Sequence, residues 1–250
     1  MAKLSGKTAV VTGASKGIGA AIAETLGRNG ANVVVNYSSD KQGAEKVVKT
    51  IEAAGARAIA VKADISRQGD IEKLFAETER IFGHVDVLVN NAGVYEFRPL
   101  DQVDENHFRK LFDVNVLGLL LTTQAAVKQM NGDGGSIINI GSVVSKQPIV
   151  GSSVYAATKG AVDVITQELA QELGAKKIRV NALLPGVTDT EGFRTMTGDD
   201  QSFAQNAVSR TPLGRIGTGA DIADAALFLA SDDSRWITGE TVQIGGGLRV

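Results

Sequence analysis

Two short segments of this 250-residue sequence carry residue types at spacings that could do chemistry. In the first, the run Thr8-Ala-Val-Val-Thr12 enters Gly13-Ala-Ser-Lys-Gly17-Ile-Gly19, and a stretch with helical periodicity, 18–27, leaves it. Backbone N–H groups at a helix N-terminus, helped by the helix dipole, bind a pyrophosphate, and a Cβ there would keep the anion away. With 29 glycines in the chain, spacing alone decides little. The strand before, the helix after and the place in the first strand–helix turn argue for a phosphate loop covering Gly13, Ser15, Lys16, Gly17, Ile18 and Gly19. Its Gly-x3-Gly-x-Gly pattern departs from the commoner Gly-x-Gly-x2-Gly. In the second segment, Tyr155 and Lys159 stand four apart at the start of a helical stretch, so a phenol and an ammonium share one face. Ser142 follows a strand candidate, and Asn115 interrupts an otherwise apolar stretch.

An acidic residue that would hold a ribose 2′-hydroxyl belongs about 20 residues after the loop. Asn36, Tyr37, Ser38 and Ser39 occupy that place, and none is acidic. Lys16 adds a cation inside the loop, and the two serines can donate hydrogen bonds. A 2′-phosphate is therefore better tolerated than repelled, and NADP(H) is expected over NAD(H).

These residues need a scaffold, and the pattern supplies one. Strand candidates fall at 8–12, 32–36, 58–62, 85–89, 136–140, 178–183 and 241–244. Several are nearly continuous in Val, Ile and Ala, as expected for strands covered on both faces. Between them lie stretches with apolar residues at three- and four-residue spacing: 18–27, 43–54, 71–82, 104–129, 155–173 and 221–230. Gly30, Gly55, Gly83, Gly135 and Gly174 precede five strands and are expected as left-handed helix caps. The alternation predicts an α/β fold: one Rossmann-type, doubly wound domain over 1–250, its parallel sheet of about seven strands flanked by helices. Residues 185–212 break the rhythm, being rich in Gly, Thr, Asp and Ser with no strand until Thr241. A substrate lid is expected near 187–212.

Composition narrows the function classes. With 26 basic and 28 acidic residues the net charge is −2, so nothing points to nucleic acid or an anionic membrane. The absence of cysteine removes disulfides, thiolate metal sites and Cys nucleophiles. The start has no apolar stretch of signal-peptide length, and the apolar run at 114–121 is too short to span a bilayer, so a cytoplasmic location is expected. His84 and His107 have no ligand cluster near them in sequence; they are expected to be solvated or capping, and no metal is expected. Trp236 is expected to pack.

Taken together, these blocks resemble the short-chain dehydrogenase/reductase family over almost the whole chain, in its subgroup of roughly 250-residue single Rossmann domains. Thr12–Gly19 resembles its cofactor loop and Asp64-Ile65 its adenine-side acidic position. Asn90-Asn91-Ala92-Gly93 resembles the segment that stabilises the central sheet. Pro185 and Gly186 through Thr188 and Thr190 resemble the turn on the nicotinamide carboxamide. Asn115, Ser142, Tyr155 and Lys159 match the catalytic tetrad.

The resemblance implies hydride transfer between a nicotinamide and a carbonyl or secondary alcohol, with Tyr155 as general acid/base. Free Tyr, with a pKa of about 10, is a poor acid–base group at neutral pH. Lys159 and the oxidised nicotinamide are expected to lower that value, Lys159 also holding the ribose hydroxyls. Ser142 would bind the substrate oxygen, and Asn115 a water linking Lys159 to solvent. A pocket is expected from 94–97, 143–150, 187–196 and Phe203; its apolar residues suit an apolar ketone, while Glu96 and Gln147 could bond sugar hydroxyls. Two relatives within the family compete, 3-oxoacyl-acyl-carrier-protein reductases and glucose 1-dehydrogenases; a carrier-protein rim could use Lys176 and Lys177, whereas Lys128 and 131–133 match poorly. A non-catalytic NADP(H)-sensing scaffold is the alternative from another class. The family also implies a homotetramer, with the apolar residues of 114–121 facing the core or a second subunit.

Overall fold

The computed structural model describes residues 2–130, 132, 134–198, 200 and 202–248; Asn131 and Asp133, and Asp199 and Gln201 of the expected lid, lie outside them. Strand and helix alternate through β1 (Thr8–Val11), α1 (Gly17–Arg28), β2 (Asn32–Tyr37), α2 (Lys41–Ala53), β3 (Ala58–Lys62), α3 (Gln68–Phe82) and β4 (Val87–Asn90). Then α4 (Glu105–Phe112), a π turn (Asp113–Gly118) and α5 (Leu119–Gln129) lead to β5 (Gly135–Ile140), and α6 (Ser153–Leu173) leads to β6 (Ile178–Pro185). The remaining elements are β7 (Thr188–Asp189), α7 (Glu191–Thr197), α8 (Ser202–Ser209), β8 (Gly217–Thr218), α9 (Gly219–Ala230) and β9 (Thr241–Ile244).

Seven strands form one parallel sheet in the order β3-β2-β1-β4-β5-β6-β9. Along β1 the side chains alternate between faces. Ala9 and Val11 join a core with α1, α2 and α9, while Val10 joins a second core with α3, α5 and α6. Cover on both faces is why the strands read as apolar runs. Each large aliphatic side chain buried there stabilises the fold by roughly 1.5–3 kcal/mol. The chain leaves β1 toward β2 and β3, then returns to start β4 on the other side of β1. That reversal opens a crevice beyond the carboxyl ends of β1 and β4, which is where a ligand fits an open α/β sheet. The expected Rossmann-type sheet of seven strands is present.

Four local expectations are corrected. The stretch 104–129 is not one regular helix, because the π turn inserts between α4 and α5. The apolar spacing runs on across it, so periodicity carries no trace of the break. A Cβ on Gly118 would stand 2.7 Å from the Ile65 carbonyl oxygen, so the turn lies directly on the backbone that follows β3. Glu105–Gln129 also contains an 18-residue window apolar enough for a membrane span, yet it is a layer over the sheet, with Leu111 and Ala126 fully buried.

The left-handed turns expected at Gly135 and Gly174 fall on Gly134 (φ 94°) and Lys177 (φ 58°). Gly174 instead continues α6 into a 3₁₀ turn. The segment 185–212 contains one short strand, β7, which pairs with β8 beyond it (Thr188↔Gly217, Asp189↔Thr218), and two short helices. Short amphipathic pieces between Gly and Thr residues leave too few turns for a period to register. Trp236 does not pack: it is 97% exposed.

Candidate active site

A cavity of about 840 Å³ runs along the carboxyl ends of the central strands. One half is lined by the phosphate loop, by residues 36–40, by Asp64 and Ile65 and by Asn91–Gly93; the other by Tyr95, Phe97, Val144, Ile149 and the helices α7 and α8. Tyr155 and Lys159 lie in the wall between them.

The phosphate loop is clamped from β1 and β4. The Thr12 hydroxyl accepts hydrogen bonds from the Asn91 and Ala92 N–H groups, each at 3.0 Å, and the Asn91 amide donates to the Thr12 and Gly13 carbonyls at 2.9 and 3.0 Å. Gly13 sits at φ 60°, where a Cβ would meet the Ala92 Cα at 2.9 Å; on Gly19 it would meet the Asn91 amide nitrogen at 2.4 Å. No side chain caps the first turn of α1 from its N-cap residue Lys16. A glycine cradle at a helix N-terminus, where Lys16 supplies no side-chain cap, fits the pyrophosphate of a dinucleotide.

At the far end of that half, Asn36 is spent inside the protein. Its Oδ1 accepts from the Gly13 N–H at 3.1 Å, and its Nδ2 donates to the Val61 and Ala63 carbonyls at 3.3 and 3.0 Å. It shapes the loop rather than facing a ribose with a free amide. Lys16 is exposed, as are Ser38 and Ser39, and all three line the cavity with Tyr37. Asp64 also lines it and accepts from the Ser66 N–H and hydroxyl.

Two acids here escape a reading of local sequence. Asp40 lines the cavity and caps α2 through the Gly43 N–H at 2.9 Å. Glu191, at the start of α7, accepts from the Gly17 N–H at 3.0 Å, so the expected lid rests on the phosphate loop. The first could have been found as the Asp before an amphipathic helix; the second joins residues 174 positions apart and has no local signal. Beyond Pro185 and Gly186, the Thr188 hydroxyl donates to the Gly186 carbonyl at 3.0 Å and the Thr190 hydroxyl caps α7 through the Phe193 N–H at 3.1 Å.

The four residues of the expected tetrad come from three elements. Ser142 caps the short turn after β5, its Oγ accepting from the Val144 N–H at 3.2 Å. Tyr155 and Lys159 come from the first turns of α6, with the Lys159 Nζ 5.8 Å from the centre of the Tyr155 ring. Lys159 is buried and donates to the Ile140 carbonyl at 2.8 Å. Burial pushes the Tyr155 phenol up to about 12, against a smaller downward pull from the Ser142 hydroxyl. The same burial lowers Lys159 to about 8, opposed by the negative Asp163. The expected lowering of Tyr155 by Lys159 is thus reversed in the protein alone, because the wall excludes the water that would solvate either charge.

Asn115 does not point its amide at Lys159. Its Oδ1 accepts from the Val94 N–H at 2.8 Å, and its Nδ2 donates to the Val94 carbonyl at 2.8 Å and the Thr158 hydroxyl at 3.1 Å. The side chain ties the π turn to the segment after β4 and to α6, with both amide hydrogens spent on protein acceptors.

In the second half of the cavity, Tyr95, Phe97 and Tyr155 form an aromatic cluster with ring centres 6.0–6.2 Å apart, the Phe97 and Tyr155 planes crossing at 88°. Phe193 and Phe203 face each other at 6.0 Å on the lid. Gln147 lines the cavity, its amide donating to the Leu248 carbonyl. Glu96 is outside the lining and is held by Arg98 and by Lys110 at 2.9 Å, which puts its carboxyl at about 2; it is not free to bind sugar hydroxyls. Ser145, Lys146 and Val150 also lie outside, Val150 being fully exposed. Within the expected lid, Asn206, Ala207 and Arg210 line the cavity from α8 and the residue after it, and Leu248 lines it unannounced by the sequence. Lys176 and Lys177 precede β6 and so stand at the amino edge of the sheet, opposite the cavity; they cannot form its rim. His107 is buried rather than solvated, with its Nε2 on the Glu96 carbonyl oxygen at 3.1 Å. His84 pairs with Asp86 at 3.1 Å.

Comparison with known proteins adds three findings. A family whose sequence model is described as enoyl-(acyl carrier protein) reductase matches residues 13–249. An uncharacterised oxidoreductase of Methylorubrum extorquens is 54% identical over the whole of both chains, and versicolorin reductase 1 of Aspergillus parasiticus is 38% identical over 98% of this chain and 97% of its own. The crystal structure of the angucycline C-6 ketoreductase LanV with bound NADP is 36% identical, superposes with a TM-score of 0.91, and covers 98% of this chain and 96% of its own.

Proposed function

The chain belongs to the short-chain dehydrogenase/reductase family, an oxidoreductase family that uses a nicotinamide cofactor, and from that premise we propose that it reduces apolar ketones with NADPH, Tyr155 donating the proton. One observation carries this reading: Tyr155, Lys159 and Ser142 meet in the wall where the phosphate-binding half of the cavity joins an aromatic half. NADPH would supply the hydride when bound, held by the loop from Gly13 to Gly19, by Lys16, Ser38 and Ser39, and by Asn91–Gly93, Thr188 and Thr190. Ser142 would orient the carbonyl oxygen toward the phenol. The Tyr155 hydroxyl, kept protonated by burial, is a donor that does not lose its proton to bulk water at neutral pH. The Lys159 ammonium, which lines the same cavity, would return a proton to the phenolate and take one in turn from cavity water.

Lys16 makes no ion pair among the described residues and is free to meet a 2′-phosphate. The carboxylate of Asp40 at the same end is turned onto the Gly43 N–H and repels that phosphate less than a free acid would. On the substrate side, Tyr95, Phe97, Phe193 and Met196 favour a flat apolar ketone, in line with the versicolorin reductase and the angucycline ketoreductase it resembles. The purified protein assayed with an aryl ketone, an acetoacetyl thioester and glucose, each with both cofactors, tests the reading. Turnover of the ketone with NADPH and none by Tyr155→Phe is expected; oxidation of glucose alone would replace the reading with that of a sugar dehydrogenase. We also infer a homotetramer, since Phe108, Leu117, Leu120 and Val164 expose apolar surface on the α4–α6 side; sedimentation of the purified protein measures it.

A further inference from the structure

Asp163 lies on α6 one helical turn beyond Lys159 and is 4% exposed. A buried carboxylate is costly unless its charge and lone pairs are met. Here they are met unequally. Its Oδ2 accepts from the Ser145 hydroxyl at 2.8 Å and pairs with the Lys146 Nζ at 2.9 Å, while its buried Oδ1 has no hydrogen-bond partner. Both partners belong to the turn that Ser142 begins. Ser145 also returns to Ser142, its N–H and its hydroxyl lying 3.1 and 3.0 Å from the Ser142 carbonyl oxygen. The carboxylate therefore joins the helix carrying Tyr155 and Lys159 to the turn carrying Ser142.

We propose that Asp163 is a positioning residue of the reaction: it docks the Ser142 turn on α6 and places a fixed negative charge behind Lys159. The proposal rests on the reading of Ser142, Tyr155 and Lys159 given above. Its physical logic is that Ser142 and Tyr155 come from different elements, and a shift of about 1 Å between them is enough to cost roughly a hundredfold in rate. The charge matters separately. Burial disfavours the Lys159 ammonium, and Asp163 is the group that opposes it. Among the other ionisable groups on elements packed against α6, Lys146 meets Asp163 directly, Tyr95 faces Tyr155, and His107 of α4 spends its Nε2 on a backbone carbonyl. Gly93, which approaches Lys159 from the loop after β4, carries no charge.

Three variants separate the two roles. The readout is kcat and kcat/KM for ketone reduction with NADPH between pH 6 and 10, with thermal unfolding to verify the fold. Asp163→Asn removes both the charge and part of the strut. It should lower kcat about tenfold, leave the KM for NADPH within about twofold, and move the high-pH limb down by about half a pH unit. Ser145→Ala cuts the strut and keeps the charge, so kcat should fall while the limb stays. Lys146→Met, at a half-exposed position outside the cavity, leaves Asp163 uncompensated, and the limb should move up. Wild-type kcat in both Asp163→Asn and Ser145→Ala overturns the proposal, and so do limbs of Asp163→Asn and Lys146→Met that stay put or move together. If Asp163→Asn does not fold, the direction of the Lys146→Met limb decides alone. Tyr155→Phe run alongside keeps the failures apart: its activity strikes the reading of the site, whereas its inactivity beside unmoved limbs strikes only Asp163.

Discussion

Replacing Lys159 with Met should remove activity while changing stability in a direction that reverses with pH. The Lys159 ammonium is buried with one hydrogen bond, to the Ile140 carbonyl at 2.8 Å. Burial takes its pKa from 10.5 in the unfolded chain to about 8. That difference corresponds to about 3 kcal/mol of folding free energy lost below pH 8, where the folded protein must hold the charge. The sign follows from proton counts. Between pH 8 and 10.5 the unfolded chain binds more protons at this group than the folded one, so its contribution to stability rises with pH across that window.

Met carries no charge and removes that dependence, but it orphans the Ile140 carbonyl at a cost of about 1–3 kcal/mol. At pH 7 the variant should therefore equal the wild type or exceed it by up to about 2 kcal/mol. By pH 10.5 it should have lost about 3 kcal/mol relative to the wild type. That change between the two pH values is independent of how well Met packs, because packing is the same at both. Denaturant titrations of the cofactor-free proteins at pH 7 and pH 10.5 measure it. A difference between variant and wild type that stays constant across the window would refute the buried-ammonium argument, and with it the reason given for Lys159 titrating near neutrality.

Other outcomes follow from the same geometry. Tyr155→Phe should bind NADPH as the wild type does, by fluorescence titration, and keep less than about a tenth of kcat, since the proton donor is gone and the packing is not. Lys16→Ala should lower the NADPH-to-NADH ratio of kcat/KM about tenfold by removing a cation placed for a 2′-phosphate; an unchanged ratio would reject that role. Gly19→Ala drives a methyl onto the Asn91 amide, and calorimetry should find weaker cofactor binding together with a loss of about 2 kcal/mol in stability. Asn36→Asp, the change that would ordinarily install an acid for a ribose, puts a carboxylate against two backbone carbonyls. It should destabilise the protein by about 1–3 kcal/mol rather than create an NAD-preferring enzyme, as thermal unfolding and cofactor kinetics would reveal.

The parts of this protein that are legible in its sequence are those governed by neighbours a few residues apart. Apolar runs identify strands buried on both faces, three- and four-residue spacing identifies the helices that cover them, and their alternation leaves a doubly wound sheet as the economical solution. The phosphate loop is equally local, since a strand, a run with Gly13, Gly17 and Gly19 and a helix start lie within twenty residues. The four-residue step from Tyr155 to Lys159 puts both on one helix face whatever surrounds them. Where local cues were thin, the expectation failed: α7 and α8 are too short to show a period, and the π turn at Asn115 leaves the apolar spacing intact.

What only the tertiary structure decides depends on groups that are far apart in the chain and on how much water is left between them. Glu191 meets the phosphate loop, Asp163 meets the turn of Ser142, and Asn115 closes on Val94 only after the sheet has brought their elements together. The same closure limits the solvent at Tyr155 and removes it from Lys159, and shifts the two groups in opposite directions. Residue type and spacing single out Tyr155, Lys159 and the glycine cradle; how readily the two side chains ionise is set by desolvation, a property of every atom packed around them and of no short segment of the sequence.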